Sequence, residues 1–150
     1  MKNILVIYHS QQSGNTRKMA ELVAEGARAG GAAVELFNVN EVRIDMKKVE
    51  KADGLALGTP DYFSYMAGGL KQFFDDAILA EWGGKKIKGK PCVIFVTHGG
   101  GGEASASVEK LAKSLEFKQI GQTLLCKGVP SGKLIEESKV LGKSLAQYLS

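Results

Sequence analysis

The chain has 150 residues and a mass of 16.0 kDa, with 44% hydrophobic and 24% charged residues. This size and balance exclude intrinsic disorder as the main state and predict one globular domain spanning residues 1–150. The net charge of +4 predicts a mildly basic surface that would suit an anionic ligand. Such a modest excess does not by itself indicate nucleic-acid binding.

The apolar runs and the cysteines indicate the compartment. No apolar run approaches the ~20 residues of a membrane span, and the run at residues 4–8 is too short for a signal peptide. We therefore expect a cytoplasmic protein with neither a membrane nor a nucleic-acid partner. Cys92 and Cys126 lie far apart, in or beside apolar runs and without other ligands at metal-binding spacing, so both are expected to be buried reduced thiols.

Short apolar runs alternate with helical patterns along the chain. The predicted strands are residues 4–8, 34–37, 55–58, 92–96 and 123–126. The first and fourth are apolar throughout, which is typical of strands covered on both faces of a parallel sheet. Apolar residues at helical spacing predict helices within residues 19–27, 70–78, 108–115 and 134–149, and a short helix at 45–52.

This alternation predicts an α/β fold of three layers. Right-handed βαβ units build a doubly wound parallel sheet with helices on both faces, here with five strands in the order 2-1-3-4-5. Ligands of such sheets bind outside the carboxyl ends of the strands, where the strand order reverses beside strands 1 and 3. The loops after strands 1, 3 and 4 are therefore the candidate site.

The first of these loops, residues 10–16, has the composition of a phosphate-binding turn. Its hydroxyl and amide side chains surround one glycine and lead into a helix N-terminus, where backbone N–H groups and the helix dipole favour an anion. The loop lacks the lysine of a nucleoside-triphosphate site, and the chain lacks the G-x-G-x-x-G fingerprint of dinucleotide sites. The alternative is a plain helix cap at Ser13 or Asn15.

The loop after the third strand contains Tyr62, Phe63, Tyr65 and Met66 within a stretch bounded by proline and glycine. Side chains of this kind suit a flat aromatic ligand, which they can stack against. The alternative is that the loop buries its aromatic rings in the protein core or in a subunit contact.

The loop after the fourth strand carries four consecutive glycines, which let backbone N–H groups approach a ligand closely. His98 precedes them. With no carboxylate or nucleophile visibly paired with it, a structural role is favoured over a catalytic one. We therefore expect no catalytic side chain, and the sequence supports no metal site.

Together the three loops resemble those of the flavodoxin-like FMN-binding family. The segment YHSQQSGNT at residues 8–16 is similar to the family's phosphate loop, with one residue more than the common pattern. GTPDYFSYM at 58–66 and THGGGGE at 97–103 resemble the second and third loops of the NAD(P)H:quinone oxidoreductases that are similar to the tryptophan-repressor-binding protein. The resemblance runs through the whole chain in order and implies a flavodoxin-like FMN-binding domain.

The resemblance also implies which residues hold FMN. The residues implied for the phosphate are Ser10, Gln12, Ser13, Gly14, Asn15 and Thr16. Those implied for the isoalloxazine are Pro60, Asp61, Tyr62, Phe63, Ser64, Tyr65, Thr97, His98, Gly99, Gly100 and Gly101.

Two functions follow from the resemblance. The first is a flavodoxin-type redox protein, a monomer or homodimer that carries electrons between redox partner proteins through non-covalently bound FMN. The second is a small FMN-dependent NAD(P)H:quinone or flavin oxidoreductase, which uses NAD(P)H and small electron acceptors. A non-catalytic domain that has kept the fold is a third possibility, because this architecture hosts many functions.

Overall fold

The computed structural model describes residues 1–11 and 14–150, and this part of the chain contains seven strands and five helices. The strands are β1 (Asn3–Tyr8), β2 (Ala33–Asn38), β3 (Gly54–Tyr62), β4 (Tyr65–Met66), β5 (Pro91–His98), β6 (Lys118–Gln119) and β7 (Leu124–Lys127). The helices are α1 (Asn15–Ala29), α2 (Met46–Lys51), α3 (Gly68–Trp82), α4 (Ala104–Ser114) and α5 (Lys133–Leu149).

The parallel strands follow the order β2-β1-β3-β5, and β6 and β7 both pair with β5 at the fifth position. The predicted order 2-1-3-4-5 is therefore confirmed, with the fifth strand divided in two. Four residues, 120–123, separate β6 from β7, whereas only two separate their partners Cys92 and Phe95 on β5. The two extra residues, among them Gly121 at φ 72°, break the pairing.

A second departure from the predicted elements follows the third strand. β3 continues to Tyr62, turns at Phe63 and Ser64, and returns as β4, so that Tyr62 pairs with Tyr65 in an antiparallel hairpin. The sequence predicted only a loop here, because it has no Asn-Gly or Asp-Gly pair to mark a two-residue hairpin turn.

The two faces of the sheet bury separate apolar clusters because side chains alternate along each strand. Leu5 and Ile7 of β1 pack in the cluster that contains residues of α3 and α4. Ile4 and Val6 point the other way, into the cluster that contains residues of α1 and α5. The helices therefore cover both faces, as the doubly wound prediction required.

Both cysteines, which the structure describes, are buried free thiols as predicted. Burial raises the pKa of the Cys92 thiol to about 12, and it also raises the pKa of Cys126, so neither is activated as a thiolate. Within residues 1–11 and 14–150, no helix has both the length and the apolar character that a membrane crossing requires.

Helices α1 and α5 cross at two glycines. A Cβ added to Gly26 would overlap the backbone carbonyl of Lys139, and one added to Gly142 would overlap the carbonyl of Val23. The close approach of the two backbones therefore depends on residues without a side chain.

We expect Gly142→Ala to lower the free energy of unfolding by about 1–3 kcal/mol, because the overlap with a carbonyl outweighs the helix propensity that alanine adds. Gly68→Ala is the control: at this position in the first turn of α3, no described atom lies within 4 Å of an added Cβ. That variant should be neutral or slightly more stable. Urea unfolding measures the stability of both variants. Equal changes in the free energy of unfolding would contradict the close approach of α1 and α5 at Gly142.

Candidate ligand-binding cleft

A cleft of about 260 Å³ opens at the carboxyl ends of β1, β3 and β5, where the strand order reverses. Parallel sheets place ligands at this position, and all three predicted loops reach it. The described lining residues are Ser10, Gln11, Gly14, Asn15, Thr16, Pro60, Asp61, Tyr62, Thr97, His98, Gly99 and Gly128.

The turn after β1 is held in place from the end of β2. The buried Asn38 accepts the backbone N–H of Ser10 at 3.0 Å and donates its amide to the Ser10 carbonyl at 2.9 Å. Asn40 donates to the same carbonyl at 3.2 Å. These bonds fix the backbone of Ser10, so that the chain enters the phosphate-type loop in one orientation.

The N-terminus of α1 faces the cleft with its backbone donors. Gly14 is the N-cap, it makes no side-chain capping bond, and the first turn contains no acidic residue. The first N–H groups of a helix lack partners within the helix, and the helix dipole makes this end positive. Asn15 is the first helical residue, so the alternative of a cap at Asn15 is wrong. The alternative of a cap at Ser13 stays a prediction, because Ser13 lies outside the described residues.

Ser10 closes the loop on itself. Its hydroxyl accepts the N–H of Arg17 at 3.1 Å and donates to the Gln11 carbonyl at 2.9 Å. A Cβ at Gly14 would lie 2.6 Å from this hydroxyl oxygen. The absence of a side chain at Gly14 therefore allows the tight turn.

Two buried hydroxyls join the first and third loops. Thr16 Oγ1 and Thr97 Oγ1 lie 2.7 Å apart, although the residues are 81 positions apart in sequence. Only one hydroxyl can donate in this bond, so the second hydrogen of the pair is available to another acceptor. Because both residues line the cleft, that acceptor can belong to a ligand.

The hairpin after β3 sends its aromatic side chains in different directions. Tyr62 lines the cleft, and its hydroxyl lies 3.4 Å from Gln11 Nε2. Met66 is buried in the core, whereas Phe63 is 102% exposed at the tip of the turn. Tyr62 can therefore contact a ligand, whereas the expectation that the aromatic rings are buried in the core is wrong, because Tyr62, Phe63 and Tyr65 are all exposed.

The hairpin is tied to the start of α4. Ser64 donates its hydroxyl to Glu103 at 2.8 Å. Asp61 accepts the backbone N–H of Ser64 at 2.8 Å and that of Ala104 at 3.3 Å. The second and third loops therefore form one connected wall.

His98 lines the cleft, and its Nδ1 is buried. Its Nδ1 has no hydrogen-bond partner within the described part of the chain. A buried polar atom of this kind normally has a partner, and a bound ligand is one source of it. Gly102 has φ 68°, which favours glycine, and a Cβ added there would make a tight contact of 3.1 Å with the His98 ring.

Ten of the predicted site residues line the cleft. Phe63, Ser64, Tyr65, Gly100 and Gly101 lie beside it without lining it, and Gln12 and Ser13 lie outside the described residues. The sequence reasoning missed Gln11, which is inside the first loop, and Gly128, which follows β7. Gly128 donates its N–H to the His98 carbonyl at 2.9 Å, and including the loop after the fifth strand would have identified it.

One end of the cleft suits a phosphate, because it offers the N-terminal donors of α1 and a hydroxyl hydrogen. The other end suits a flat ring system, because Tyr62 forms its wall. This donor set fits FMN. A doubly wound sheet with such a cleft at its switch point defines the class of flavodoxin-like proteins.

Comparisons with known proteins place the chain within this class. Residues 2–125 match the family model of the NADPH-dependent FMN reductases, and the chain belongs to that family. It is 42% identical to a flavodoxin of Aquifex aeolicus over 120 residues, which cover 78% of this chain and 62% of that relative. It is 29% identical to an NAD(P)H dehydrogenase (quinone) of Archaeoglobus fulgidus, over 98% of this chain and 97% of that relative.

The fold is also similar to that of solved flavodoxins. A solved flavodoxin from the domain Archaea matches with a TM-score of 0.83 at 24% identity, over 98% of each chain. The family match and these relatives confirm the resemblance stated from the sequence, with its flavodoxin-like fold and FMN as cofactor.

The hairpin turn carries backbone strain at two residues. Phe63 and Ser64 have φ of 58° and 62°, the left-handed region that glycine and asparagine occupy more easily. We expect Phe63→Asn to raise the free energy of unfolding of the apoprotein by about 1 kcal/mol, because asparagine tolerates this conformation and the exposed ring loses no packing. Phe63→Ala is the matched control: it keeps a Cβ and should leave the stability unchanged. Thermal or urea unfolding measures the stability of both variants. An equal gain in stability in Phe63→Asn and Phe63→Ala would rule out backbone strain at Phe63.

Proposed function

We propose that this protein carries electrons as a flavodoxin-type redox protein, with one FMN bound non-covalently per chain of residues 1–150. The observation that carries the proposal is the cleft itself, which joins the N-terminus of α1, with glycine as its N-cap, to an aromatic wall. FMN supplies the capacity to take up and release electrons. The protein's task is to bind and orient it, which needs no general acid or base.

The phosphate end of the proposed site is the turn between β1 and α1. Gly14, Asn15 and Thr16 line it, and Ser10 holds the turn closed. Gln12 and Ser13 belong to the same loop and stay predictions. Charge-assisted bonds from backbone N–H groups and the Thr16–Thr97 pair would hold the phosphate dianion.

The ring end of the proposed site lies between Tyr62 on one side and His98 and Gly99 on the other, whereas Thr97, which the resemblance also implied for the isoalloxazine, bonds to Thr16 at the phosphate end. Pro60 and Asp61 lead into this wall. Ser64, through Glu103, supports the wall without lining the cleft. We infer that His98 Nδ1 meets a polar atom of the flavin, since it is buried without a described partner.

A second function, reduction of a quinone or flavin by NAD(P)H, is supported by the family's description and by the Archaeoglobus relative that aligns over nearly its whole length. Both functions use the same FMN site. They differ in the partner: a redox protein for the carrier, or NAD(P)H and a small acceptor for the reductase. We propose a cytoplasmic location and a monomer or homodimer for either.

We expect Thr16→Val to weaken FMN binding about tenfold to a hundredfold, because a hydrogen bond to a charged group contributes about 1.5–3 kcal/mol. Riboflavin, which lacks the phosphate, should be affected much less. Thr97→Val should weaken binding less, because it leaves the Thr16 hydroxyl free to donate to the phosphate, and the double variant should lose little more than Thr16→Val alone. Fluorescence titration measures the affinities, and equal losses for the two flavins would contradict the phosphate assignment.

We expect the fluorescence of bound FMN to be quenched by Tyr62 and to recover in Tyr62→Ala. Phe63→Ala changes the neighbouring aromatic residue, which points to solvent, and should leave the quenching intact. Recovery in the Phe63 variant alone would mean that the hairpin rearranges to place Phe63 on the flavin.

We expect slow or no turnover of NADH or NADPH with a quinone, and readier exchange of single electrons with chemical reductants. The reason is that Tyr62 already occupies one wall at the ring end of the cleft. Anaerobic mixing followed by absorbance at the flavin bands tests this. Rapid bleaching by NAD(P)H with many quinone turnovers would favour the reductase function, and failure to form a yellow complex with FMN would favour the non-catalytic possibility.

A further inference from the structure

His9 is a buried titratable group outside the cleft lining. It follows β1, is 6% exposed, and lies against the start of α3. Its Nδ1 accepts the backbone N–H of Gly69 at 3.0 Å, across 60 positions of sequence.

This hydrogen bond replaces a missing helix cap. The N-cap of α3 is Ala67, which makes no side-chain capping bond. Gly69 is the second helical residue, so its N–H has no acceptor within the helix. An imidazole nitrogen accepts a hydrogen bond only when it carries no proton, which places the ring hydrogen of neutral His9 on Nε2.

The imidazole has little freedom to move. A Cβ at Gly69 would lie 2.6 Å from His9 Nδ1 and would also overlap the carbonyl of Val39. The helix backbone therefore approaches the imidazole as closely as a glycine permits.

The same imidazole supports the aromatic wall of the cleft. The rings of His9 and Tyr62 meet edge to face, with centroids 6.0 Å apart and an interplanar angle of 84°. Tyr62 lines the cleft with 38% of its surface exposed. His9 thus contacts both the start of α3 and this wall.

We propose that His9 is a positioning residue of the flavin cleft. In its neutral form His9 caps α3 and supports the ring of Tyr62, and on protonation it releases both. This inference rests on the proposed use of Tyr62 as the wall beside the flavin ring.

The surroundings of His9 favour the neutral form. Burial lowers its pKa below the ordinary value, and within the described residues no charged side chain adds to that shift. The titratable group facing it is the Tyr62 phenol from the hairpin, whereas α3 presents the Gly69 N–H and the segment after β2 presents the Val39 carbonyl. An imidazolium would also meet the positive end of the α3 dipole.

The sign of the pH dependence follows. The pKa of His9 is lower in the folded protein than in the unfolded chain. At pH values between these two pKa values, the unfolded chain therefore binds more protons. The stabilisation by His9 is complete above about pH 6.5, the ordinary histidine pKa, and is lost as the pH falls through the folded pKa. Flavin affinity should fall in the same direction.

Two variants each keep one of the two contacts of His9, with the Gly69 N–H or with the Tyr62 ring. His9→Asn keeps an acceptor near the position of Nδ1 but loses the ring, and His9→Phe keeps a ring for Tyr62 but loses the acceptor. Riboflavin is the probe, because the phosphate of FMN titrates near pH 6 and would obscure the effect.

We expect wild-type riboflavin affinity to fall about two- to twelvefold as the pH is lowered from 8 through the folded pKa of His9, the change that loss of one aromatic pair produces. In both variants this fall should be absent. A fall of the same size in both variants would overturn the proposal and assign the titration elsewhere, for instance to His98.

Proton NMR of the apoprotein gives a readout that needs no flavin. The chain has two histidines, so His9→Asn identifies the His9 resonance. We expect the ring signals of Tyr62, identified with Tyr62→Phe, to shift with the His9 titration, and added riboflavin to lower the His9 pKa further, as linkage requires. Tyr62 ring signals whose chemical shifts do not change as His9 titrates would overturn the inference. Wild-type protein that binds neither FMN nor riboflavin at pH 8 would instead overturn the proposed function, whatever the apoprotein NMR shows.

Discussion

The parallel pairing of β1 with β2 on one side and with β3 on the other decides where this molecule can bind a ligand. The chain leaves β1 for one face of the sheet through α1 and leaves β3 for the other face through α3. The segments that follow the two strands diverge and leave a cleft between them. The N-terminus of α1, the Tyr62 wall and His98 reach one cavity because of this reversal in strand order.

Polar contacts between distant segments then shape the cleft. Asn38 orients the turn after β1, and the Thr16–Thr97 pair joins the helix start to the end of β5. On the other wall, Ser107 accepts the N–H of Met66 at 3.0 Å and Thr59 accepts that of Ala67 at 2.9 Å. Buried polar groups bonded in this way hold a unique geometry, because each lost partner leaves a buried group unsatisfied. The strained turn at the hairpin tip is held within the same network.

The electrostatic character of the site is local and does not follow from the net charge. The first turn of α1 contains no acidic residue, so its dipole is not offset there. The net charge of +4 agrees with an anionic ligand but cannot specify where it binds. A cofactor that carries its own chemistry needs from the cleft donors that bind it and a wall that orients its ring system.

The sequence by itself determined the architecture and the place of the site. Continuous apolar runs at residues 4–8 and 92–96 indicated strands buried on both faces, and alternation with helices then fixed the sheet order and the loops at its switch point. These signals are local, so a pattern of neighbouring residues carries them. Only the tertiary structure decided that Phe63 and Ser64 form a hairpin turn, that Thr16 meets Thr97, and that His9 caps α3. Those contacts join residues far apart in sequence or hold residues in a backbone conformation that they do not prefer, and packing, not local propensity, selects them.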